Sequence, residues 1–182
     1  MIDCDELERV ETAPLDDVSS ANMDSLITDL GSKDGFIRQS ARTALIQIGE
    51  PAVEYLIKAF KTESVPTHWE AAKALSLIGD PKSVRSLVQA LEDNAFSIRW
   101  LAAEGLITVG YCSLAPLLEA LVNRSESVRL REGAHHVLHD LVSRHLLDRT
   151  SIEHIKPVLA ALKNSAPAST VPIVAHRALN AL

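Results

Sequence analysis

The chain is poor in aromatic residues and in cysteine, and both shortages narrow its class. Phe, Trp and Tyr make up 4% of the 182 residues, so alanine and leucine must fill most of the interior, as close helix packing prefers. The two cysteines, Cys4 and Cys112, are far apart and form no Cys-x-x-Cys pair. This argues against a zinc–thiolate site or a disulfide framework and predicts two free thiols.

Targeting and catalytic motifs are also missing. No apolar run approaches the roughly 18 residues that a membrane-spanning helix needs, and the start Met-Ile-Asp-Cys-Asp-Glu lacks the features of a signal peptide. There is no nucleophile elbow, phosphate-binding loop or paired-carboxylate motif. We therefore expect a cytoplasmic protein that does not act on membranes, with no catalytic residues and no cofactor.

Charge is uneven along the chain. Residues 1–20 hold seven acids and one base, which accounts for the whole net charge of −6, so the rest of the chain is neutral. A neutral body lacks the basic stripe of a nucleic-acid-binding protein. We expect residues 1–20 to form an acidic N-terminal segment, either a flexible tail or a cap, and residues 21–182 to form one repeat domain.

A short segment recurs four times at nearly constant spacing. It reads Ala-x-x-(Ala/Gly/Val)-Leu-x-x-(Ile/Val/Leu) and begins at Ala41, Ala71, Ala102 and Ala134, with separations of 30, 31 and 32 residues. A period near thirty with helical spacing inside it is typical of stacked helical hairpins. The sequence predicts an all-α, right-handed α-solenoid of about five hairpins, each with an outer helix A and an inner helix B.

Turn and cap residues place the helices. We expect Gly31 to be a left-handed C-terminal cap and Thr150-Ser-Ile-Glu153 to be a capping box. The chain stops on the apolar Leu182, so it is either a piece of a longer array or has a last face that forms a homodimer. The predicted A and B helices are 23–30 and 35–48, 51–60 and 67–78, 83–91 and 95–109, 114–122 and 127–145, and 150–162 and 170–182.

The repeats resemble a known family. Ile-Arg-x-x-Ala-x-x-Ala-Leu-x-x-Ile-Gly at 37–49 is similar to the B helix of HEAT repeats, in particular the short variety of about thirty residues named after phycobilisome lyases. Ile98-Arg99 repeats the opening, Val128-Arg129 repeats it in part, and Gly-Asp-Pro at 79–81 resembles the usual exit. The resemblance covers residues 23–182 and implies the fold. It does not imply a function, because the matching positions are packing positions.

Candidate site residues are those that the repeat does not require. With each leading alanine at zero degrees, three positions of every B helix fall together about 100–160° away, on the side expected to line the concave surface. Both tryptophans of the chain, Trp69 and Trp100, occupy one of these positions in adjacent repeats. They are either aromatic anchors for a partner or packing residues of the array. The predicted partner-binding residues are Trp69, Trp100, Gln39, Arg42, Ile107, Glu132, His135 and His139.

The fourth repeat makes this surface polar. His135 and His139 have the i, i+4 spacing that can ligate one divalent metal, but a solvated titratable face is the simpler interpretation, so no metal is predicted. His176 takes the position of His135 one repeat later. His136 and Asp140 lie further round the helix and are expected to pair with each other.

These observations predict a non-catalytic protein–protein interaction module or scaffold, whose partner is another protein or a peptide. Deoxyhypusine hydroxylase uses similar repeats with His-Glu dipeptides, which are missing here, since His68-Trp-Glu70 is interrupted. HEAT-like DNA glycosylases have a basic groove, which the neutral body lacks. The alternative is a phycobilin lyase subunit, because such HEAT subunits handle a linear tetrapyrrole on a light-harvesting protein. Glu132 and Asp140 would then contact pyrrole nitrogens.

Overall fold

A computed structural model describes residues 20–62, 64–164 and 167–182 of the chain. These residues form helices and turns, without a strand, in two compact units divided after Ser83. The acidic N-terminal segment predicted for residues 1–20 lies outside the described residues except for Ser20. The all-α prediction of hairpin repeats is confirmed. The helices are α1 Ser20–Asp29, α2 Gly35–Ile48, α3 Val53–Phe60 and α4 Val65–Ile78 in the first unit, and α5 Val84–Ala90, α6 Phe96–Val109, α7 Leu114–Asn123, α8 Val128–Ser143, α9 Arg149–Leu162 and α10 Pro167–Leu179 in the second.

The first unit is built from two hairpins in which like helices pack on like. The A helices α1 and α3 contact each other, and so do the B helices α2 and α4. Leu45, Leu56 and Leu75, which recur at the apolar positions of these helices, are fully buried. Burying a leucine side chain stabilises a fold by about 2 kcal/mol. Because each hairpin buries its leucines at the same positions, leucine recurs in the sequence at the spacing of the repeat.

Glycines end two of the B helices in the first unit in a way that needs their conformation. Gly79 adopts left-handed φ and ψ of 69° and 25°, and its N–H donates to the carbonyl of Leu75 at the end of α4. Gly49 after α2 also has a positive φ of 74°. A side chain would strain either backbone, so glycine stops the helix there.

The prediction of a left-handed cap at Gly31 is wrong, because the glycine serves a different purpose. Its φ is not positive, and a Cβ atom placed on it would lie 2.9 Å from Thr67 Oγ1 and 3.4 Å from the carbonyl of Thr28. The residue therefore allows the turn after α1 to approach the start of α4 closely. Both roles of glycine follow from its missing side chain, and sequence alone does not separate them.

The last hairpin of the chain, predicted as the fifth, lies in the second unit and is reversed relative to the prediction. In the earlier hairpins of this unit the A helices α5 and α7 pack together and the B helices α6 and α8 pack together. The next helix, α9, packs on the B helix α8, and α10 packs on the A helix α7. His176 on α10 therefore does not continue the B-helix surface. His176 is not the structural equivalent of His135.

A cap without glycine precedes this reversal. His145 has a positive φ of 57° after α8, the N–H of Leu146 donates to the carbonyl of Leu141, and the N–H of His145 donates to that of Val142. This pair of hydrogen bonds is the Schellman pattern, in which glycine is usual. The chain then turns within a few residues into α9 with Leu147 buried. Because no glycine marks the turn, the sequence does not reveal it.

The helix α9 begins at Arg149, and its N-cap is Asp148 rather than the predicted Thr150. One carboxylate oxygen of Asp148 accepts from the backbone N–H of Ser151 at 2.9 Å, and the other accepts from the Ser151 hydroxyl at 2.8 Å. These hydrogen bonds, led by the backbone bond from Ser151, lower the pKa of Asp148. The predicted capping box is therefore displaced by an acidic cap two residues earlier, since Asp is as good an N-cap as Ser or Thr.

Two expectations about composition need correction. The stretch Phe96–Asn123 is long and apolar enough to cross a membrane by length and composition, although it comprises α6, a 3-10 turn and α7 with half of its most apolar window buried inside the protein. Core helices of globular proteins pass the same test, so this is weak evidence for a membrane span. Cys112, in the 3-10 turn Gly110–Ser113, is disulfide-bonded, so the prediction of a free thiol is wrong there. Cys4 lies outside the described residues.

Candidate functional site

The first unit presents Trp69 on α4, next to an arginine from α2. The indole is 37% exposed, as the helical phase predicts for this position. The guanidinium carbon of Arg42 lies 5.8 Å from the ring centroid, within range of a cation–π interaction. Trp69 and Arg42, both predicted as site residues, are therefore brought together. Gln39, the third predicted residue of this unit, is exposed on α2.

The guanidinium of Arg42 forms an ion pair with Glu70, which is not among the predicted site residues. Glu70 is 5% exposed, and its carboxylate accepts hydrogen bonds from Arg42 and, at 3.3 Å, from Arg38 Nε. A buried carboxylate requires partners of this kind, since an unpaired buried charge is very unfavourable. The cluster holds α2 against α4 and fixes Arg42 beside Trp69. The sequence feature that indicates this cluster is an acidic residue, Glu70, at a packing position directly before Ala71.

The second unit presents Trp100 on α6 within a small aromatic cluster. Trp100 is 47% exposed and stacks on His136 of α8 with ring centroids 4.9 Å apart and planes 29° apart. Phe96, one turn earlier on α6 and 69% exposed, lies 6.4 Å from the same indole. Nε2 of His136 is 3.4 Å from a carboxylate oxygen of Glu104.

His136 makes its close contacts on α6 rather than with Asp140, and only its charge acts on Asp140 by helping to lower the pKa of that carboxyl. His136 contacts Glu104 and Trp100 on α6, since α8 packs against that helix. Asp140 instead accepts from Arg144 at 2.5 Å and lies 3.3 Å from His139 Nδ1. Burial raises the pKa of Asp140, but the hydrogen bond with His139 and the charge of Arg144 outweigh it and hold that pKa below its usual value. Asp140 is thus already engaged by two cationic or titratable neighbours.

Ile107 is wrongly predicted as a partner-binding residue. It is 3% exposed and belongs to the core of the second unit. Ala103, at another predicted surface position of α6, is also buried. The helix α6 is apolar on nearly every side, so an angle measured from Ala102 does not distinguish a buried side from an exposed one. On α6 the exposed residues are Phe96, Ser97, Trp100 and Thr108.

Two further predicted residues, Glu132 and His135, line a groove between α8 and the end of α9. The groove has a volume of about 420 Å³. Nε2 of His135 is buried and has no hydrogen-bond partner among the described residues. Burial, followed by the charge of Lys163 and the neighbouring His139 and His136, lowers the pKa of His135 below its usual value. The groove-lining residues are Val128, Arg131, Glu132, His135, Leu162 and Lys163.

His135 and His139, the two candidate metal ligands, lie next to each other on α8. The rings of His135 and His139 are 6.0 Å apart between centroids and nearly parallel, at 18°. In the part of the chain that the structure describes, no group of three His, Cys, Asp or Glu side chains could hold a metal ion. The pair therefore has no third ligand among the described residues, and a bound metal ion needs more than two.

The arginine of the repeat motif has a structural task. Arg38 and Arg99 each donate to two carbonyls in the turn before their own helix, at distances of 2.8–3.2 Å. Arg131 donates in the same way to the carbonyl of Ser125, six residues earlier. Arg131, and not the predicted Arg129, is therefore the equivalent residue of the fourth repeat. These arginines satisfy backbone carbonyls of the turns between helices.

Comparison with known proteins agrees with this architecture. A family model of HEAT repeats matches residues 23–107. The solved complex of CpcE and CpcF of phycocyanin lyase from Nostoc sp. PCC7120 is similar to the chain with 25% identity and a TM-score of 0.56, over 86% of this chain and 99% of that chain. No curated protein matches the chain significantly. The chain contains HEAT repeats over residues 23–107, and its repeats are similar to the short, phycobilisome-lyase type.

Proposed function

We propose that this chain is a lyase-like HEAT subunit that acts together with a protein partner on a linear tetrapyrrole carried by a light-harvesting protein. The observation that carries the proposal is the similarity to the phycocyanin lyase complex, which extends over 99% of that chain. A match restricted to a few repeats would support only the fold, because packing positions dominate it. A match over the full length also includes the ends of the array, where regular repeats stop.

The exposed aromatic residues fit a ligand of this class. A linear tetrapyrrole is a flat conjugated molecule, so exposed aromatic faces are groups that would hold it. In the first unit, Trp69 lies beside Arg42, and in the second unit Trp100 lies against His136. Stacking on a tryptophan gives a large contact area with few rotatable bonds. Each unit therefore offers one aromatic platform.

The same residues fit a protein partner, which is the second candidate function. The solved relative is a complex of two proteins. Partly exposed tryptophans are the side chains most often found at the energetic centre of protein interfaces. A non-catalytic interaction module that binds through Trp69 and Trp100 would account for their exposure without any pigment. The two candidates therefore differ in whether a tetrapyrrole binds.

A spectroscopic experiment separates them. Purified protein is mixed with a free bilin, and the bilin absorbance and tryptophan fluorescence are recorded for wild type and for Trp69→Ala/Trp100→Ala. We expect a shifted absorbance band and quenched fluorescence with wild type, and a clearly weaker absorbance change with the double variant. Leu77→Ala is the matched control, because Leu77 is a large apolar residue of α4 that is 52% exposed outside the proposed site.

A flat absorbance spectrum with wild type would contradict the lyase-like function. The interaction module is then tested by affinity capture from the native lysate with the same three proteins, read by mass spectrometry. A protein that is held by wild type and by Leu77→Ala, but lost by the folded double variant, would support binding through the tryptophans. Identical captures by all three would contradict that interpretation too.

A further inference from the structure

The groove between α8 and α9 combines an apolar wall with cationic side chains. Val128 and Leu162 supply the apolar surface, and Arg131 and Lys163 supply two positive charges. Glu132 contributes one negative charge, so the lining carries a net charge of +1 when His135 is neutral. The volume of about 420 Å³ is in the range of small-molecule sites. The groove is therefore large enough for an organic ion, and its charge favours an anion.

The side chains, and not the helix dipoles, decide the preference for charge. The groove lies at the amino end of α8, which favours anions, and at the carboxyl end of α9, which favours cations. These two contributions oppose each other. Arg131 is held in place by its hydrogen bond to the Ser125 carbonyl, so part of its cost of ordering is met before any ligand arrives. Lys163 is exposed and lines the same groove.

His135 adds an observation that points to a ligand. Its Nε2 is buried beside this lining without a hydrogen-bond partner among the described residues, which is unusual for a buried polar atom. The charged and titratable groups around it are Lys163 from α9 and Arg131, Glu132, His136 and His139 from α8. From α6, Glu104 reaches His136 rather than His135. The local surroundings of His135 thus contain more positive than negative partners.

We propose that the α8–α9 groove binds a carboxylate joined to an apolar chain, with the carboxylate between Lys163 and Arg131 and the apolar part against Val128 and Leu162. A bound carboxylate offsets the positive neighbours of His135, so it also favours the protonated ring as a hydrogen-bond donor. Glu132 at the rim disfavours ligands with a second negative charge close to the first. The proposal does not depend on the lyase-like function, because neither its ligand nor its test involves a tetrapyrrole.

The test follows the ring of His135 by NMR. The ring signals are assigned with His135→Gln, and the pKa of His135 is measured with and without hexanoate. Hexanol and hexylammonium serve as probes with the same chain and a neutral or positive head. Hexanoate should raise the pKa of His135 toward its usual value, and the other two probes should leave it unchanged. Equal shifts with hexanol, or no shift with hexanoate, would overturn the proposal.

A pair of lysine variants tests the assigned residues. Lys163→Gln should weaken hexanoate binding by about fivefold, the size expected for the loss of one partly solvated charge. Lys156→Gln is the matched control, because Lys156 is an exposed lysine of the same helix that pairs with Glu153 at 2.7 Å outside the groove. Unchanged affinity in Lys163→Gln would overturn the assignment. Circular dichroism before the titration checks that both variants are folded.

The carboxylate could belong to a free organic acid or to an acidic side chain of a protein. Two short capped peptides, Leu-Asp and Leu-Asn, separate these sources in the same NMR experiment. A pKa response to the Leu-Asp peptide and not to Leu-Asn would support a protein side chain as the ligand. A response to hexanoate alone would support a free acid. If hexanoate does not move the His135 signals, the groove is not a carboxylate site, whatever the two peptides do.

Discussion

His136 stacks on Trp100 with 4.9 Å between the ring centroids, while its Nε2 lies 3.4 Å from the carboxylate of Glu104. The stack joins α8 to α6 at the surface, so the indole is held in one orientation although nearly half of it is exposed. A side chain that is ordered before binding loses less entropy when a ligand contacts it. The proposed aromatic platform of the second unit is therefore preorganised by a residue that the sequence analysis paired elsewhere.

The first prediction concerns this stack. Trp100→Ala should lower the free energy of unfolding by only about 1 kcal/mol, because the residue is partly exposed and loses only its ring contacts with His136 and Phe96. His136→Ala in a Trp69→Phe background, where Trp100 is the last tryptophan, should shift its fluorescence emission. Urea denaturation and emission spectra measure the two effects. A loss above about 3 kcal/mol would show instead that Trp100 is a core residue.

The second prediction concerns Glu70. Glu70→Gln should lower the free energy of unfolding by about 2 kcal/mol, because Arg38 and Arg42 would lose the buried carboxylate that they share. Glu54→Gln, an exposed acid on α3 in the same unit, should change stability by less than about 0.5 kcal/mol. Urea denaturation compares the two variants. Equal effects of the two substitutions would mean that the Glu70 cluster adds nothing to stability.

The third prediction compares two helical glycines. A Cβ atom on Gly133 would lie 2.9 Å from Leu91 Cδ2 and 3.3 Å from Leu91 Cβ, and Leu91 is fully buried. Gly133→Ala should therefore destabilise the protein by about 1 kcal/mol, although alanine favours helix. Gly35→Ala meets only the end of Arg38 at 3.6 Å and should be neutral or slightly stabilising. The thermal midpoints of both variants measure this difference, and a stabilised Gly133→Ala would show that Leu91 can move aside.

The fourth prediction concerns pH. The pKa of His135 is lower in the folded than in the unfolded chain, so the unfolded chain binds more protons in the acid range. The stability contributed by neutral His135 is complete above its unfolded pKa of about 6.5 and is lost as pH falls from there through the folded pKa. Urea midpoints at pH 7.5 and 5.5 should therefore differ less for His135→Gln than for wild type.

A matched variant makes this pH test specific. His145→Asn removes a histidine at the left-handed cap of α8, where asparagine tolerates the positive φ, and it lies outside the groove. It should retain the wild-type difference between the two pH values. If His135→Gln loses as much stability on acidification as wild type does, His135 makes no contribution to the pH dependence of folding.

Much of the fold was predictable because the residues that end the helices recur at regular positions in the sequence. The B helices α2 and α6 agree with their predicted limits within one residue, since Gly49 and Gly110 end them at a positive φ and apolar residues recur at helical spacing within them. The arginines were recognised as part of the motif, but not their role as donors to turn carbonyls. The predicted exposure of Trp69 and Trp100 is also confirmed, although the same helical phase wrongly places Ile107 of α6 at the surface.

The errors occurred where a residue's environment depends on neighbouring helices. Ile107 was placed at the surface although α6 is apolar on nearly all sides, so its phase carried no information. His136 was paired within its own helix, whereas its partners Trp100 and Glu104 come from α6. The groove depends on Lys163 at the end of α9, a helix that was assigned to the wrong layer. His136 and its partners on α6 are about thirty positions apart in the sequence, and so are His135 and Lys163.

The sequence by itself determined the HEAT-type hairpin repeat and the limits of helices such as α2 and α6, because these follow from spacing within one helix and from glycine at its end. Only the tertiary structure decided that α9 follows the B helices and that α10 packs on α7. It also showed that Glu70 binds Arg42 and that His135 lies beside Lys163. The physical reason is that helix spacing is a local property, whereas the partners of a charged or titratable group depend on which helices pack together.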